Sequence, residues 1–390
     1  MAQTDTMILN MGPQHPSTHG VLRLELELDG EIVVKATPHI GYLHTGFEKN
    51  MEYKTYHQCI PYTDRMDYLS TVSNNLAFTM AVEKLLGLEV PPRAQCIRVI
   101  WAELNRIGSH LVWLATQALE LGAATPFLYA FSEREKILDL FEMASGVRMM
   151  TSYSRIGGLM ADLPAGWIEK LAEFIREFPA RVDEYETLLT KNPIWLKRTK
   201  GVGVLSGADA LRYSLSGPNL RASGVNWDIR KQSPYLLYDQ FDFRVPVGEV
   251  GDTYDRYLVR MIEMRESTRL IDQAVRVLPA GPVRSDNPKV VFPEKERIKE
   301  SMEDLIHHFK LATEGFSPPA GEVYFSVEGP RGEMGYYIVS NGSNMPWRVR
   351  VRPPSFLNVQ AIPFLISGKM VPDVIAIVGS VDFVLGEVDR

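Results

Sequence analysis

Alternating apolar and charged positions near the start of the chain predict an antiparallel sheet. Leucines occupy the even positions from 22 to 28, and charged residues occupy positions 23, 25 and 27. A period of two places successive side chains on opposite faces of a strand. Asp29-Gly30 follows, a pair that suits a two-residue hairpin turn. We therefore predict a β-hairpin within residues 21–35, with one face buried and the other toward water.

Apolar spacing becomes helical from about residue 47 to residue 189. The clearest segment is 92–121, where Ile or Leu stands at positions 97, 100, 104, 107, 111, 114 and 119. Two further helices are expected, one from Thr125-Pro126 to about Met149 and one after Pro164. Long helices with one apolar face pack together into bundles. The middle of the chain is therefore predicted to be a helical bundle.

The second half of the chain mixes several patterns. Residues 200–250 are rich in Gly, Ser, Pro and Asn and predict a long loop that binds partners. Helices are expected at 252–277 and 293–313, and strands at 322–327, 336–340 and 348–352. The predicted fold class is α+β, with a β-rich part at 1–46, a helical bundle core at 47–313 and a mixed α/β part at 314–390.

Composition and charge exclude some classes of protein. The chain is 45% hydrophobic and 23% charged, with a formal net charge of −6 and no basic run that could follow a phosphate backbone, so nucleic acid is not an expected partner. No apolar run reaches the roughly 18–20 residues that cross a bilayer, and no secretory signal stands at the start. We expect a soluble protein, or one that reaches a membrane through partners.

Motifs for metals, nucleotides and hydrolysis are missing from the sequence. The two cysteines, Cys59 and Cys96, are far apart, and no CxxC occurs, so thiolates for an iron–sulfur cluster or a structural zinc are lacking. Both are expected to be small buried side chains. There is no nucleotide-binding glycine fingerprint and no GxSxG.

A proline-containing loop, residues 12–20, carries His15 and His19. The prolines forbid a regular helix, so the four-residue spacing does not make a helical metal site, and no third ligand is evident. The two imidazoles could face a cleft or could lie exposed on a surface loop. The sequence alone leaves both possibilities open.

Three further groups of polar residues stand out. Asp64, at the start of a DRMDY motif, could cap the following helix and place Tyr68 one turn inside it, where a buried hydroxyl would need a partner. Glu103, Arg106 and His110 share one helix face, and pairing within the helix accounts for the first two. Glu120 stands near the end of that helix, where a solvated side chain is the simplest interpretation.

Motifs along nearly the whole chain together resemble one family, the D subunit of bacterial NADH–quinone oxidoreductase (respiratory complex I). No single motif would suffice, but their number and order are highly specific. They are GPQHPSTHGVLR at 12–23, PHIGYLHTG at 38–46, DRMDY at 64–68, ELNRI at 103–107, RIGG at 155–158, SGPNLRASG at 216–224 and GSVDFVLGEVDR at 379–390.

That family is related to the large subunits of nickel–iron hydrogenases, which hold their metal through two CxxC pairs. This chain has neither pair; its end offers Asp382 and Asp389 instead. The resemblance implies a hydrogenase large-subunit-like fold without a bound metal, in which the vacated cavity holds the quinone headgroup. It also implies that His19 and Tyr68 bind the two quinone carbonyls, and that Arg65 covers the partner's cluster.

The chain departs from the family's pattern at three positions. Glu120 stands where an Asp often bonds to the quinone-binding His, so Glu120 is expected to take that catalytic role. Thr45 replaces an Arg found in some members. Met150 replaces a His that lies near the cluster in others. Because Met150 does not titrate, we expect a weaker pH dependence of the cluster's reduction potential.

The resemblance also implies the setting in which the chain works. Electrons from NADH would reach quinone through a tetranuclear iron–sulfur cluster held by the neighbouring B subunit. The further partners would be the C subunit, other peripheral-arm subunits and the membrane arm, at the cytoplasmic face of the bacterial inner membrane. The chain would not be active alone. A ferredoxin- or deazaflavin-dependent quinone reductase remains an alternative, as does a non-catalytic scaffold, although the presence of both His19 and Tyr68 argues against the scaffold.

Overall fold

A computed structural model describes residues 6–12 and 20–390 of the chain. His15 and His19 lie outside the described residues. The helices are α1 (Phe47–Met51), α2 (Tyr56–Met66), α3 (Thr71–Leu86), α4 (Pro92–Glu120), α5 (Ala124–Ser145), α6 (Trp167–Leu189), α7 (Pro193–Thr199), α8 (Gly207–Arg212), α9 (Gly217–Ala222), α10 (Ile229–Gln232), α11 (Thr253–Arg276), α12 (Lys295–Glu300), α13 (Met302–Thr313), α14 (Pro354–Ile366), α15 (Val371–Val381) and α16 (Leu385–Asp389).

The strands form small antiparallel sheets. They are β1 (Met7–Met11), β2 (Arg23–Asp29), β3 (Ile32–His39), β4 (Ser154–Arg155), β5 (Gly158–Leu159), β6 (Gly321–Gly329), β7 (Gly332–Ser340) and β8 (Arg348–Arg352). The order in the first sheet is β1-β2-β3, and in the last sheet it is β6-β7-β8. The structure thus combines many helices with small antiparallel sheets, which confirms the predicted α+β class.

The predicted hairpin is formed by β2 and β3. Its leucines are buried and its charged positions are partly exposed, as the alternation predicted. The turn is shifted by one residue, because Asp29 still pairs with Ile32 and the loop residues are Gly30 and Glu31. Gly30 adopts a positive φ of 61°, which costs glycine little because it lacks a Cβ.

The middle of the chain is the predicted bundle, and α4 is its central helix. Pro92 stands in the first turn, where its missing N–H costs nothing. Nearly every residue of α4 from Cys96 to Ala118 is buried, so the helix is covered on all sides. The next helix starts at Ala124, and it ends at Ser145 because Gly146 takes the left-handed conformation there.

Two expectations for the second half differ from the structure. Residues 200–250 are not one long loop, because they contain the short helices α8, α9 and α10, in which Asn219 and Arg221 are buried; the binding of partners by this segment stays a prediction. The helix expected at 293–313 is interrupted at Ser301, whose hydroxyl caps α13 by accepting from Asp304 N.

The apolar side chains form two cores. The larger joins the bundle helices to sheet β6-β7-β8, and the smaller joins sheet β1-β2-β3 to α14, α15 and α16. The chain therefore returns at its C-terminus to cover its N-terminal sheet. The three-part division at residues 46 and 313 stays a prediction.

Candidate functional site

Tyr68 lies in the tight turn between α2 and α3, not within a helix as expected. Asp67 fixes this turn, because its Oδ1 accepts hydrogen bonds from Leu69 N and Ser70 N, both at 3.0 Å. Asn105 of α4 holds the far side of the turn by donating to Leu69 O at 3.0 Å. The backbone on both sides of Tyr68 is thereby fixed.

Asp64 does not cap the following helix, a possibility that the sequence left open. Asp64 lies in the last turn of α2, and its Oδ2 accepts from the Ser152 backbone N–H at 2.7 Å and hydroxyl at 2.5 Å. Burial raises the pKa of Asp64 to about 6, although these two bonds oppose the shift. Asp64 therefore ties α2 to the loop that follows α5.

The hydroxyl of Tyr68 faces the end of the proline-containing loop. A methyl group added at Gly20 would lie 3.8 Å from Tyr68 Oη and 3.7 Å from Leu385 Cβ. Burial raises the pKa of Tyr68, and the neighbouring Asp67 raises it further. The phenol is therefore neutral near pH 7 and can donate a hydrogen bond or a proton.

An arginine that sequence reasoning missed stands behind this turn. Arg331 is one of two turn residues between β6 and β7, and it is 1% exposed. Its Nη1 lies 2.5 Å from Asp67 Oδ2, and its Nη2 lies 3.3 Å from Asp382 Oδ1. No local pattern marks Arg331, because its partners are about 50 and 260 residues away in the chain.

Glu120 is the last residue of α4 and packs against α15. Both of its carboxylate oxygens are buried, which contradicts the simple interpretation as a solvated side chain. A methyl group at Gly379 would overlap Glu120 Oε2 and Gln117 Oε1. Trp113 Nε1 donates to Gly379 O at 2.9 Å and fixes this contact. Glu120 and Tyr68 thus approach the same C-terminal segment, at Gly379 and near Leu385.

Arg65 and Met150 belong to neighbouring segments of the surface. Arg65 is exposed in the last turn of α2 and donates to Pro61 O at 2.7 Å. Met150 is half-buried in the loop after α5, and the preceding residue accepts a hydrogen bond from Thr71 Oγ1 at 2.9 Å. The bond from Ser152 to Asp64 brings the Met150 loop to the end of α2 that carries Arg65.

The predicted pair of Glu103 and Arg106 is formed at 3.2 Å, but it is fully buried. Glu103 also accepts from Arg230 at 3.0 Å, from Tyr238 at 2.6 Å and from Ser267 at 2.6 Å. Burial alone would raise the pKa of Glu103, but Arg106 and Arg230 lower it to about 2. This carboxylate is therefore ionised in the interior.

The same network extends to the turn that carries Arg331. Arg106 donates to Glu328 O at 2.6 Å and to Gly329 O at 3.1 Å, at the end of β6. His110 lies 2.8 Å from Glu263, and burial lowers the pKa of this histidine although Glu263 opposes the shift. Sequence reasoning found the α4 members by their spacing, but it missed Arg230 and Glu263 because they come from other helices.

Asp389, whose role the sequence did not indicate, holds the PHIGYLHTG loop. Its two carboxylate oxygens accept from Gly41 N at 2.8 Å and from Leu43 N at 2.7 Å. Its backbone oxygen lies 2.7 Å from His44 Nδ1. Two motifs from opposite ends of the sequence are thus joined by hydrogen bonds in the fold.

Both cysteines are buried and unbridged, as expected. Burial raises the pKa of Cys59 to about 12 and that of Cys96 to about 11, so neither is a thiolate near neutral pH. Within the part of the chain that the structure describes, no three His, Cys, Asp or Glu side chains gather in a way that could hold a metal ion. None of the helices within residues 6–12 and 20–390 combines the length and apolar character needed to cross a bilayer.

Comparison with known proteins decides the family. Residues 120–390 match the family described as the 49 kDa subunit of respiratory-chain NADH dehydrogenase. The chain belongs to this family. It is 59% identical over 390 residues to the D subunit of NADH-quinone oxidoreductase from Geotalea uraniireducens, and 58% identical over 390 residues to that from Geobacter sulfurreducens, with all of each chain covered. A further relative, the second D subunit of this enzyme in Chloroflexus aurantiacus, is 58% identical, with 100% of this chain and 95% of the relative covered.

Family membership confirms the resemblance drawn from the motifs. The roles expected of His19, Tyr68, Glu120, Arg65 and Met150 stay predictions. For the described members of this set, the structure brings Tyr68 and Glu120 to one C-terminal segment, and Arg65 and Met150 to one surface.

Proposed function

We propose that this chain forms the quinone-reduction site of a proton-translocating NADH:quinone oxidoreductase, together with a partner that holds a tetranuclear iron–sulfur cluster. The observation that carries the proposal is the fixed turn around Tyr68, with its hydroxyl beside Gly20. A residue must be held in place to act on a substrate with defined geometry. The relatives' names, which specify NADH and quinone, favour this function over a ferredoxin- or deazaflavin-dependent one.

Quinone reduction needs two electrons and two protons. The electrons would come from the partner's cluster, since the chain's two cysteines are buried and lie far apart in the sequence. Tyr68 would bind one quinone carbonyl by hydrogen bonding and donate a proton to the reduced oxygen, which is general acid catalysis. Its raised pKa keeps the proton on the phenol until the quinone oxygen becomes strongly basic. His19 would bind the other carbonyl, and Glu120 would orient that imidazole.

The surface around Arg65 would face the partner's cluster. A guanidinium is positively charged at every physiological pH, so Arg65 would favour the reduced, more negative state of that cluster. The partners proposed are the B subunit, which would hold the cluster, the C subunit, the other peripheral-arm subunits and the membrane arm, at the cytoplasmic face of the bacterial inner membrane. The chain would work only within this assembly.

Tyr68→Phe in the assembled complex tests the proposal. The change removes one hydroxyl and leaves the ring, so the turn should keep its fold. We expect NADH:quinone reductase activity to fall on the order of 100-fold, the range typical of a lost general acid. Reduction of an artificial acceptor that takes electrons upstream of the quinone site should not change.

Tyr62→Phe is the matched control. Tyr62 lies on α2 and packs edge-on against Phe47 of α1 at a ring distance of 6.2 Å. Its loss of a hydroxyl should leave both activities near the wild-type rate. Quinone reduction at the wild-type rate in Tyr68→Phe would overturn the site assignment.

Glu120 requires its own pair of variants. Glu120→Asp restores the residue that the resemblance implies for other members and keeps an acceptor, so activity should remain. Glu120→Ala removes the acceptor and should slow quinone reduction without affecting the artificial acceptor. Equal rates for both variants would argue against a role for the Glu120 carboxylate.

A further inference from the structure

The C-terminal helix places a buried carboxyl group, Glu387, behind the Tyr68 turn. Its exposure is 1%, and its neighbour Gly386 packs so closely on the end of α2 that a methyl group there would lie 2.5 Å from Met66 O. The hydroxyl of Ser355 donates to Glu387 Oε2 at 2.6 Å. Tight packing and one short hydrogen bond therefore hold Glu387 in a defined position.

Glu387 interacts electrostatically with a guanidinium that pairs with two other buried carboxyl groups. Arg331 pairs with Asp67 at 2.5 Å and with Asp382 at 3.3 Å, and Arg260 Nε lies 3.9 Å from Asp382. The described arginines thus pair with two of the three carboxylates, while the third is held by a neutral hydroxyl. Burying a further negative charge beside these two would be costly.

Titratable groups reach Glu387 from each neighbouring element. They are Asp67 from the turn after α2, Asp382 from the end of α15, Arg331 from the turn after β6, Tyr336 from β7, and Arg390 beyond its own helix. Burial is the largest cause that raises the pKa of Glu387, and the charges of Asp67 and Asp382 raise it further. Ser355 and Arg331 oppose this shift. The pKa of Glu387 is about 8. The group is therefore mainly a neutral acid at pH 7.

Two charged groups of this cluster also interact electrostatically with Tyr68. Asp67 immediately precedes Tyr68 in the turn, and the charges of Asp67 and Arg331 both act on the phenol. Arg331 interacts electrostatically with four ionisable groups, and each of them raises its pKa although burial opposes the shift. These groups are Asp382, Asp67, Glu387 and Tyr68. Arg331 is thus the common neighbour of the phenol and the three acids.

We propose that Glu387 is the proton reservoir of the Tyr68 site. It holds a proton in the resting protein and returns it to the Tyr68 phenolate after that tyrosine has protonated the reduced quinone. This inference rests on the proposed function, because it takes Tyr68 as the group that donates to quinone. Glu387 acts through Tyr68 and does not itself touch the substrate.

The step balances without any further reagent. The O–H bond of the Glu387 carboxylic acid breaks, the O–H bond of Tyr68 forms, and one negative charge moves from the tyrosine to the glutamate. No electron is exchanged in this step. It runs downhill because burial raises the pKa of Tyr68 above its ordinary value of 10, higher than that of Glu387.

The test uses Glu387→Gln in the assembled complex and follows quinone reduction against pH. In the wild-type complex we expect the rate to fall as pH rises through about 8, where the reservoir empties. Glu387→Gln should lower the rate at pH 7 and lose this alkaline limb. The infrared carbonyl band of a buried protonated carboxylic acid, present at pH 7 and lost at high pH, should be absent from the variant.

Ser355→Ala is a second variant, in which the alkaline limb should shift and not disappear. It keeps the test possible if the complex with Glu387→Gln does not assemble. Removing the hydroxyl that stabilises the Glu387 carboxylate should raise its pKa further, so the alkaline limb and the infrared transition should both move to higher pH. Glu333→Gln is the matched control, because this carboxylate pairs with Arg352 at 3.3 Å outside the cluster. It should leave the limb and the band unchanged.

The outcomes separate the two proposals. If Tyr68→Phe retains the wild-type rate of quinone reduction, the proposed function fails. If Tyr68→Phe is inactive while Glu387→Gln keeps both the wild-type rate and the alkaline limb, only the reservoir is overturned. An infrared band that persists unchanged in Glu387→Gln also overturns it.

Discussion

Arg331 Nη1 lies 2.5 Å from Asp67 Oδ2, and both side chains are buried. Asp67 is also the residue immediately before Tyr68, and its carboxylate accepts hydrogen bonds from Leu69 N and Ser70 N in the same turn. A single ion pair therefore joins the turn between β6 and β7 to the turn that carries the proposed proton donor. The position of Tyr68 depends on a residue more than 260 positions away in the sequence.

We expect Arg331→Met to destabilise the chain strongly. The change leaves Asp67 and Asp382 buried without their shared cation, and breaking a buried pair in this way costs about 3–5 kcal/mol. Urea unfolding of the full-length chain measures the loss. Arg352→Met is the control, because the Arg352 side chain is 28% exposed and its ion pair with Glu333 should be worth about 0–1 kcal/mol. Equal unfolding midpoints for the two variants would contradict the assigned role of Arg331.

Gly379→Ala should disturb Glu120. The added methyl group would overlap the oxygens of Gln117 and Glu120, so one of these side chains must move, at a cost of about 1–3 kcal/mol. Gly108→Ala in α4 is the comparison, because the nearest atom to its new methyl group among the described residues would be Ile137 Cδ1, at 3.9 Å. That change should be neutral or stabilise the helix by up to about 1 kcal/mol. Thermal unfolding of both variants decides the matter, and a Gly379→Ala chain as stable as wild type would show that the contact is loose.

Asp389→Asn should loosen the PHIGYLHTG loop. An amide keeps one acceptor oxygen, so it cannot accept from both Gly41 N and Leu43 N as the carboxylate does. We expect faster hydrogen exchange at these two backbone amides and little change elsewhere. Asp239→Asn, on an exposed short turn, should change neither amide. Wild-type protection of Gly41 and Leu43 in Asp389→Asn would rule out the clamp.

Glu387 should make the stability of the chain depend on pH. Because its pKa is raised from 4.5 to about 8, the folded chain holds a proton that the unfolded chain releases between these values. Stability contributed by this group is therefore full below pH 4.5 and is lost as pH rises to about 8. Melting temperatures across this range should fall more steeply for wild type than for Glu387→Gln. Parallel curves would mean that Glu387 ionises at its ordinary pKa.

With Met150 beside it, the partner's cluster should have a reduction potential that depends only weakly on pH. Methionine has no titratable group, so the cluster's reduction potential in the assembled complex should vary little with pH. Met150→His places an imidazole, with a reference pKa of about 6.5, on the surface that also carries Arg65, and it should steepen this dependence. Redox titrations at several pH values provide the measurement. A full proton-coupled slope in the wild-type complex would disprove the expectation.

The sequence determined the local features with short periods. The hairpin of β2 and β3, the central helix α4 and the α+β class follow from alternation and helical spacing, because each depends on neighbours within a few residues. The spacing of Glu103 and Arg106 likewise predicted their contact. The family followed from ordered motifs along the chain and was confirmed by its relatives.

Only the tertiary structure decided how these parts form a site. Tyr68 lies in a turn that the Asp67 carboxylate holds by hydrogen bonds, and Asp67 is fixed by Arg331 from a distant hairpin. The carboxylate oxygens of Glu120 are buried because α15 packs on the end of α4. Such positions depend on burial and on contacts between charged residues that are far apart in the chain. The local spacing of residues predicts neither of these. The absence of paired cysteines is evident from the sequence, whereas the pairing of Asp67 and Asp382 with one arginine exists only when the chain is folded.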